Sequence, residues 1–206
     1  MAEEKDKIPQ SPSVRRTPLL ASVVVVVLLL LAGIIVLAVS LIYGPHDPRF
    51  RVVSIAVYDL NSTSPPFIST TVQPTVAITN PSRRSPVHYD RLSVFLAYRN
   101  QPITPPIVLP PLDQEPRTTV AMSPFLGGSP VPVAADVLYG IDADEDYGVV
   151  GLRVVILGTL RYGGVGVMKR GHYGVYVSCD LFVAMRRGTV GQLPLLSSPL
   201  CAVHII

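Results

Sequence analysis

Histidine, cysteine and serine side chains are the groups that could supply a nucleophile and its base in this chain. The four histidines lie far apart, at positions 46, 88, 172 and 204, and the sequence contains no Gly-x-Ser-x-Gly motif. Cys179 follows His172 by seven residues, and an odd separation places two residues on opposite faces of a strand. The sequence therefore predicts no nucleophile–base pair, and we expect a protein that is not an enzyme.

A glycine-rich segment, Gly163–Gly166, has the look of a phosphate-binding loop. It lacks the later glycine and the following helix that would direct backbone amides at a phosphate. A hairpin turn explains the segment better. We therefore expect no cofactor and no small-molecule substrate.

Three acidic residues, Asp142, Asp144 and Asp146, have the spacing of the first ligands in a calcium-binding loop. Such a loop needs glycine at its sixth position and glutamate at its twelfth, but this chain has Tyr147 and Arg153 there. We interpret the segment as a solvated acidic loop and predict no metal site, with weak calcium binding as the alternative.

Three basic pairs, Arg83-Arg84, Lys169-Arg170 and Arg186-Arg187, are predicted to lie in turns. The net charge of the whole chain is only +3, and the positive residues are too dispersed for a nucleic-acid-binding protein. We interpret the pairs as solvated side chains, with contact to an anionic cell-surface polymer as the alternative.

Among the predicted structural elements, the clearest is a long apolar segment near the N-terminus. Leu19–Tyr43 is a run of 25 positions without a charge. As a helix it measures about 37 Å, enough to cross a hydrocarbon core of about 30 Å. We predict a transmembrane helix over residues 19–43. A cleaved signal peptide ending near Ser40 is the alternative, although a signal sequence has only about 7–15 apolar residues.

The charges beside this helix predict its orientation. Residues 1–18 contain four Lys and Arg, and only Arg49 and Arg51 follow within fifteen residues of its end. The excess favours a cytoplasmic N-terminus. Residues 1–18 lack apolar periodicity and are predicted to be a disordered tail. Residues 44–206 then form an extracellular domain, and the length of the span suits a plasma membrane.

Alternating apolar residues predict the fold of residues 44–206, since strands with one buried face have a period of two. In the first strand, Val53, Ile55 and Val57 are predicted to share the buried face. The seven segments with this pattern lie around residues 53–57, 72–78, 92–98, 118–122, 152–162, 173–183 and 201–206. They predict an antiparallel β-sandwich of the immunoglobulin or fibronectin type, with one short helix at Val133–Tyr139.

Two features fit an extracytosolic compartment. Asn61-Ser62-Thr63 is a glycosylation sequon, so Asn61 is a predicted glycosylation site. Cys179 and Cys201 are the only cysteines, and an even number in an oxidising compartment is typical of disulfide bonding. If their strands are neighbours, the two residues could form a disulfide; two buried free thiols are the alternative.

Several short motifs in this sequence are similar to motifs of known proteins. The motifs are Pro45–Phe50 after the helix, Asn80-Pro81, His88–Leu92, Tyr98–Gln101, Gly171–Tyr173 and Cys179-Asp180. In this order they resemble the plant NDR/HIN-like (harpin-induced-like) proteins, which carry a late embryogenesis abundant type 2 (LEA type 2) domain. Ser82 departs from that pattern, since asparagine is usual there.

The resemblance implies a small β-sandwich and a non-enzymatic, membrane-anchored protein of plant defence or stress response. Its outer domain would act as an interaction module for a protein partner. Two alternatives remain: a structural tether between the plasma membrane and an anionic cell wall polymer, and a module that handles lipid.

Overall fold

The computed structural model of the chain describes residues 16–43, 46–64, 66–163, 171–197 and 199–206. The chain divides between Gly44 and Pro45 into two compact units. The first contains helix α1 (Arg16–Tyr43). The second contains helix α2 (Ala135–Tyr147) and all of the strands.

Helix α1 has the length and composition of a membrane span. Its segment Ala21–Val39 has 19 residues with a mean hydropathy of 3.3. The valine-rich stretch Val23–Val27 is a poor helix former in water, but in lipid the backbone must satisfy its own hydrogen bonds and helix is favoured. A signal sequence near the N-terminus has the same properties, so the helix is a membrane anchor or a signal sequence.

The second unit is an antiparallel β-sandwich with one helix, as the sequence predicts. Its strands are β1 (Arg49–Ser64), β2 (Phe67–Thr79), β3 (Val87–Tyr98), β4 (Gln101–Pro102), β5 (Ile107–Leu109), β6 (Leu112–Gln114), β7 (Thr119–Met122), β8 (Leu126–Gly127), β9 (Val131–Pro132), β10 (Val149–Tyr162), β11 (His172–Ala184), β12 (Gly191–Leu193), β13 (Leu195–Ser197) and β14 (Ala202–Ile205). Five of these are long, and the others are short strands at their edges.

The strands form two sheets among the described residues. The six-stranded sheet has the order β12-β1-β2-β7, and β8 and β9 also pair with β2. The eight-stranded sheet has the order β13-β11-β10-β3-β4, with β14 on β11 and with β5 and β6 on β3. The inward-facing residues of both sheets form one hydrophobic core, which includes Phe50, Ile78, Leu96 and Val177.

The predicted buried face of the first strand is wrong at one residue. Ile55 and Val57 are buried, but Val53 is 55% exposed and Val52 faces the core instead. The pairing of β1 with β2 has a register shift between Val52 and Ser54. A bulge adds one residue to a strand and so reverses the alternation before it, which a strict period of two cannot predict.

Helix α2 is longer than the predicted Val133–Tyr139. It begins at Ala135 and ends at Tyr147, and the left-handed backbone of the following Gly148 (φ 84°) lets its N–H reach the carbonyl oxygens of Asp144 and Glu145, as in helices closed by glycine. The predicted acidic loop is therefore wrong, because Asp142, Asp144 and Asp146 lie on this helix. The apolar face formed by Val137, Leu138 and Ile141 is buried and holds the segment in helical form.

Glu145 is a carboxyl group on the buried side of α2, with 9% of its surface exposed. Burial, and next the charge of Asp142, raise its pKa. A raised folded-state pKa means that stability is lost as pH rises above the unfolded value of about 4.3. We expect Glu145→Gln to increase the free energy of unfolding at pH 7, by less than about 1 kcal/mol.

The pH dependence of urea unfolding checks this expectation. The gain from Glu145→Gln should vanish at about pH 3, well below the unfolded-state pKa of about 4.3, where the carboxyl group is protonated in both states. A gain of equal size at the two pH values would contradict the assigned cause. Asp136→Asn in the first turn of α2 is the matched control, since a carboxylate there favours the helix dipole and its removal should not stabilise.

Candidate functional site

The site begins with the tight turn between β3 and β4. Tyr98 pairs with Gln101 across this hairpin, and the two residues between them have positive φ, 47° for Arg99 and 66° for Asn100. Turns with two positive φ angles match the twist of a β-hairpin. Asparagine adopts this backbone readily, whereas arginine does so rarely, so the hairpin presents Arg99 at a conformational cost.

An open cleft of about 620 Å³ lies at this end of the eight-stranded sheet. Its walls come from the end of β3 and the turn after it, the last turn of α2, the first part of β10 and the second half of β11. The lining residues are Ala97, Tyr98, Arg99, Asn100, Asp144, Val149, Gly151, Leu152, Arg153, Asp180, Leu181 and Phe182.

On the α2 side, the cleft is closed by Tyr98 and Asp144. The Tyr98 hydroxyl donates a 2.8 Å hydrogen bond to Asp144 Oδ2, and burial followed by this bond raises the pKa of Tyr98 to about 12. The Arg99 guanidinium carbon lies 5.2 Å from the centre of the Tyr98 ring, a distance typical of a cation–π contact. The tyrosine therefore stays protonated at neutral pH and orients both neighbours.

On the sheet side, Arg153 connects two strands and the hairpin. Its Nε donates to Asp180 Oδ1 at 2.5 Å, and its Nη1 donates to the side-chain oxygen of Asn100. The hydrogen bond to Asp180 raises the pKa of Arg153. Because β10 places Arg153 directly opposite Asp180 on β11, the ion pair is fixed by strand register.

An exposed aromatic ring completes the cleft. Phe182 on β11 is 52% exposed and is paired in register with Gly151 of β10. A Cβ atom at Gly151 would lie 3.2 Å from the Phe182 ring, so glycine leaves room for the ring beside the strand. Val149, 41% exposed, extends this apolar wall.

The charged groups of Arg153 and Asp180 in the cleft are paired with each other. Histidine, cysteine and serine are not among the lining residues. The guanidinium of Arg153 and the carboxylate of Asp180 neutralise each other, and they lie beside an apolar wall. Fixed charges next to exposed aromatic and aliphatic side chains are what protein interfaces use.

The two cysteines that the sequence singles out lie together: Cys179 is buried in the core, and the partly buried Cys201 packs against the core. The structure joins Cys179 and Cys201 in a disulfide. Strand β14 pairs with β11, with Ala202 opposite Ser178, which brings the two cysteines side by side. His172, seven residues before Cys179, lies 3.4 Å from the carboxylate of Asp90 instead.

The remaining predicted positions lie away from the cleft or outside the described residues. Asn61 is in β1, opposite Ser69, and its side chain is outside the described part of the structure. The segment from Gly164 to Arg170, with most of the glycine-rich motif and one basic pair, is also outside it. Arg83 is exposed, and Arg187 contacts Asp146 at 3.0 Å.

Sequence reasoning misses the cleft because its side chains come from distant positions. Arg153 and Asn100 are 53 residues apart, and Tyr98 and Asp144 are 46 residues apart. The sequence carries one signal for the turn that forms part of the cleft. Arg99-Asn100 follows the alternating segment 92–98, and asparagine is a residue that tolerates the left-handed conformation of a tight hairpin.

Comparison with known proteins finds three plant relatives. NDR1/HIN1-like protein 1 of Arabidopsis thaliana is 36% identical over 155 residues, which cover 73% of this chain and 74% of the relative. NDR1/HIN1-like protein 12 of the same plant is 32% identical over 77% of this chain and 75% of its own length. NDR1/HIN1-like protein 26 is 33% identical over 73% and 71%, respectively. No protein-family model matches the chain.

Proposed function

This chain belongs to the NDR1/HIN1-like family, a plant defence and stress family, and we propose that it is a non-enzymatic, membrane-anchored member of it. Its β-sandwich acts as an interaction module. The module binds a protein partner through the cleft between the β3–β4 turn and Phe182.

The geometry of the cleft is the observation that carries this proposal. Arg153 is held by Asp180 and Asn100. These contacts fix the direction of its remaining N–H donors before a partner binds. A fixed guanidinium loses little entropy when it binds a carbonyl or carboxylate of a partner. Phe182 offers an aromatic side chain next to it, and aromatic residues and arginine are enriched among those that dominate binding energy.

Helix α1 and its flanking charges support the proposed anchor and its orientation. The excess of Lys and Arg in the N-terminal tail favours a cytoplasmic N-terminus. The β-sandwich then lies outside the cell, at the plasma membrane, where a receptor-like partner or a secreted ligand could reach the cleft.

The sequon provides a prediction for this orientation. Only an extracytosolic Asn61 can be glycosylated. We expect Asn61→Gln to remove the mass of one glycan from the protein made in plant cells, visible as faster migration on a denaturing gel. Ser69→Ala, opposite Asn61 in the sheet, should leave the migration unchanged. Equal migration of wild type and Asn61→Gln, both before and after glycosidase treatment, would contradict an extracellular glycosylated domain.

The proposed binding site is tested by proximity labelling in plant cells. A labelling enzyme fused to the C-terminus is compared between wild type and the double variant Asn100→Asp, Phe182→Ser at equal abundance. We expect a discrete set of labelled proteins to be lost in the variant and retained with Val108→Ser, an exposed position on β5 outside the cleft. Identical labelling by all three would overturn the proposal.

A further inference from the structure

Tyr147, the last residue of helix α2, has the most exposed side chain of the described tyrosines. It is 87% exposed, and its hydroxyl has no hydrogen-bond partner among the described residues. Other tyrosine hydroxyls are held by polar side chains, as the hydroxyl of Tyr98 is by Asp144 at 2.8 Å. The Tyr147 hydroxyl is therefore free to accept a transferred group.

Four carboxylates precede Tyr147 directly in the chain. They are Asp142, Asp144, Glu145 and Asp146. The last turn of α2 contains no basic residue, although the C-terminal end of a helix carries partial negative charge and favours cations. These acidic residues therefore oppose the stability of the helix end on which they lie. A segment that breaks a local stability preference is expected at functional positions.

Contacts with other elements hold this end of α2. Arg187 Nε lies 3.0 Å from Asp146 Oδ1, and the Tyr98 hydroxyl donates to Asp144. Neither contact involves Tyr147. Because helix ends fray, the last residue can enter the active site of another enzyme while the buried face of α2 stays packed.

An unpaired guanidinium lies beside the same end of the helix. A Cβ atom on Gly148, the residue after Tyr147, would lie 3.4 Å from Arg186 Nε. Arg186 is exposed, and it has no ion-pair partner among the residues that the structure describes. Arginine binds phosphate groups with parallel hydrogen bonds, and a sulfate ester presents oxygens in a similar arrangement. The structure thus offers a partner for an anionic group attached to Tyr147.

We propose that Tyr147 is a sulfation site, modified by a tyrosine sulfotransferase of the secretory pathway. The co-substrate is an activated nucleotide sulfate, phosphoadenylyl sulfate. The phenolic oxygen of Tyr147 forms a bond to sulfur while the bond from sulfur to the phosphate oxygen of the nucleotide breaks. The phenolic proton passes to a base of the transferase, the nucleotide bisphosphate leaves, and no atom changes its oxidation state.

The acidic segment explains why such an enzyme would select Tyr147. An enzyme that binds an anionic donor has positive potential in its active site, and this potential attracts a negatively charged acceptor segment. Tyr139 lies on the same helix and is 75% exposed, but no carboxylate is adjacent to it. Its nearest acidic residues are Asp136 and Asp142, three positions away on either side. Charge therefore distinguishes Tyr147 from Tyr139.

The sulfate would lie at the rim of the cleft, since Val149, two residues after Tyr147, lines the cleft. Arg186 binds some of the sulfate oxygens, and the others accept hydrogen bonds from a partner. This inference rests on the proposed function, because only a domain that passes through the secretory pathway meets the transferase. It adds a modification that regulates the same site.

Mass spectrometry of the full chain from plant cells tests this inference. The peptide that contains residue 147 is compared between wild type, Tyr147→Phe and Tyr139→Phe. We expect the wild-type peptide to carry the added mass of one SO₃ group that phosphatase does not remove. Tyr147→Phe should lose this group, and Tyr139→Phe should retain it. Both side chains are exposed, so neither substitution should disturb the fold.

A second comparison tests the role of the carboxylates. The double variant Glu145→Gln, Asp146→Asn should reduce sulfation of Tyr147 by about tenfold, the lower end of the effect of electrostatic steering on association. Asp136→Asn, in the first turn of α2, should leave sulfation unchanged. The double variant breaks one exposed ion pair with Arg187, which contributes little to stability, and thermal unfolding confirms that it is folded.

Three results would overturn the inference: no added group on Tyr147 in wild type, equal sulfation of the double variant and wild type, or a group that phosphatase removes. The glycan on Asn61 in the same sample separates this failure from a failure of the proposed orientation. A chain that is glycosylated but not sulfated contradicts sulfation alone. A chain with neither group contradicts both sulfation and the extracellular orientation.

Discussion

Replacing Asn80 with alanine should lower the free energy of unfolding by about 4 kcal/mol. Asn80 is 0% exposed and connects three segments. Its Nδ2 donates to the carbonyl oxygens of Ser85 at 2.9 Å and Glu115 at 3.3 Å, and its Oδ1 accepts from the N–H of Ser82 at 3.0 Å. Truncation leaves these groups without a partner, and each buried unsatisfied group costs about 1–3 kcal/mol.

Denaturant unfolding of the full chain in detergent measures this effect. Gln192→Ala removes an exposed amide from β12 and should change the free energy of unfolding by less than about 0.5 kcal/mol. A loss below about 1 kcal/mol for Asn80→Ala would show that water or a local shift satisfies the freed groups. The account of the 80–86 loop and the 115–118 turn as one hydrogen-bonded unit would then be wrong.

Loss of the disulfide between Cys179 and Cys201 should cost about 3 kcal/mol. The bond closes a loop with a sequence separation of 22, and the chain-entropy estimate for such a loop is about 3 kcal/mol. The bond ties the short strand β14 to the central part of β11. The double variant Cys179→Ala, Cys201→Ala should therefore unfold at lower denaturant concentration than wild type.

Reduction separates the effect of the bond from that of the substitutions. Wild type treated with a strong reductant should approach the stability of the double variant, and the double variant should not respond to reductant. Mass spectrometry of a non-reduced digest of protein from plant cells should contain the two linked peptides. Two thiols that alkylate without prior reduction would contradict a disulfide in the cell.

Much of the fold is predictable from local patterns, because burial on one face imposes them. The alternation along β3, β10 and β11 predicts their inward faces, with Leu96, Val154 and Val177 buried. The bulge between Val52 and Ser54 is not predictable, since it depends on how β1 matches β2. The extension of helix α2 beyond Tyr139 is also missed. The three aspartates in that part have weak helix propensity, and the helix forms there because Ile141 is buried in the core.

The candidate site is less predictable than the fold. The Asn80-Pro81 motif is visible in the sequence. The stabilising role of Asn80, however, depends on the carbonyl groups of Ser85 and Glu115, which only the folded chain brings close to it. The cleft depends on the register of β10 with β11, which sets Arg153 opposite Asp180 and Gly151 opposite Phe182. Register is a property of the folded sheet, and a single sequence gives no direct measure of it.

Photo-crosslinking from the cleft most directly tests the claim that this protein acts by binding a partner. A photoreactive amino acid is placed at position 182 of the full chain in plant membranes, and at position 108 as the control. We predict a discrete crosslinked protein from position 182 that is absent from position 108 and is lost when Arg153→Ala is added. No adduct at position 182, or the same adducts from both positions, would contradict the account.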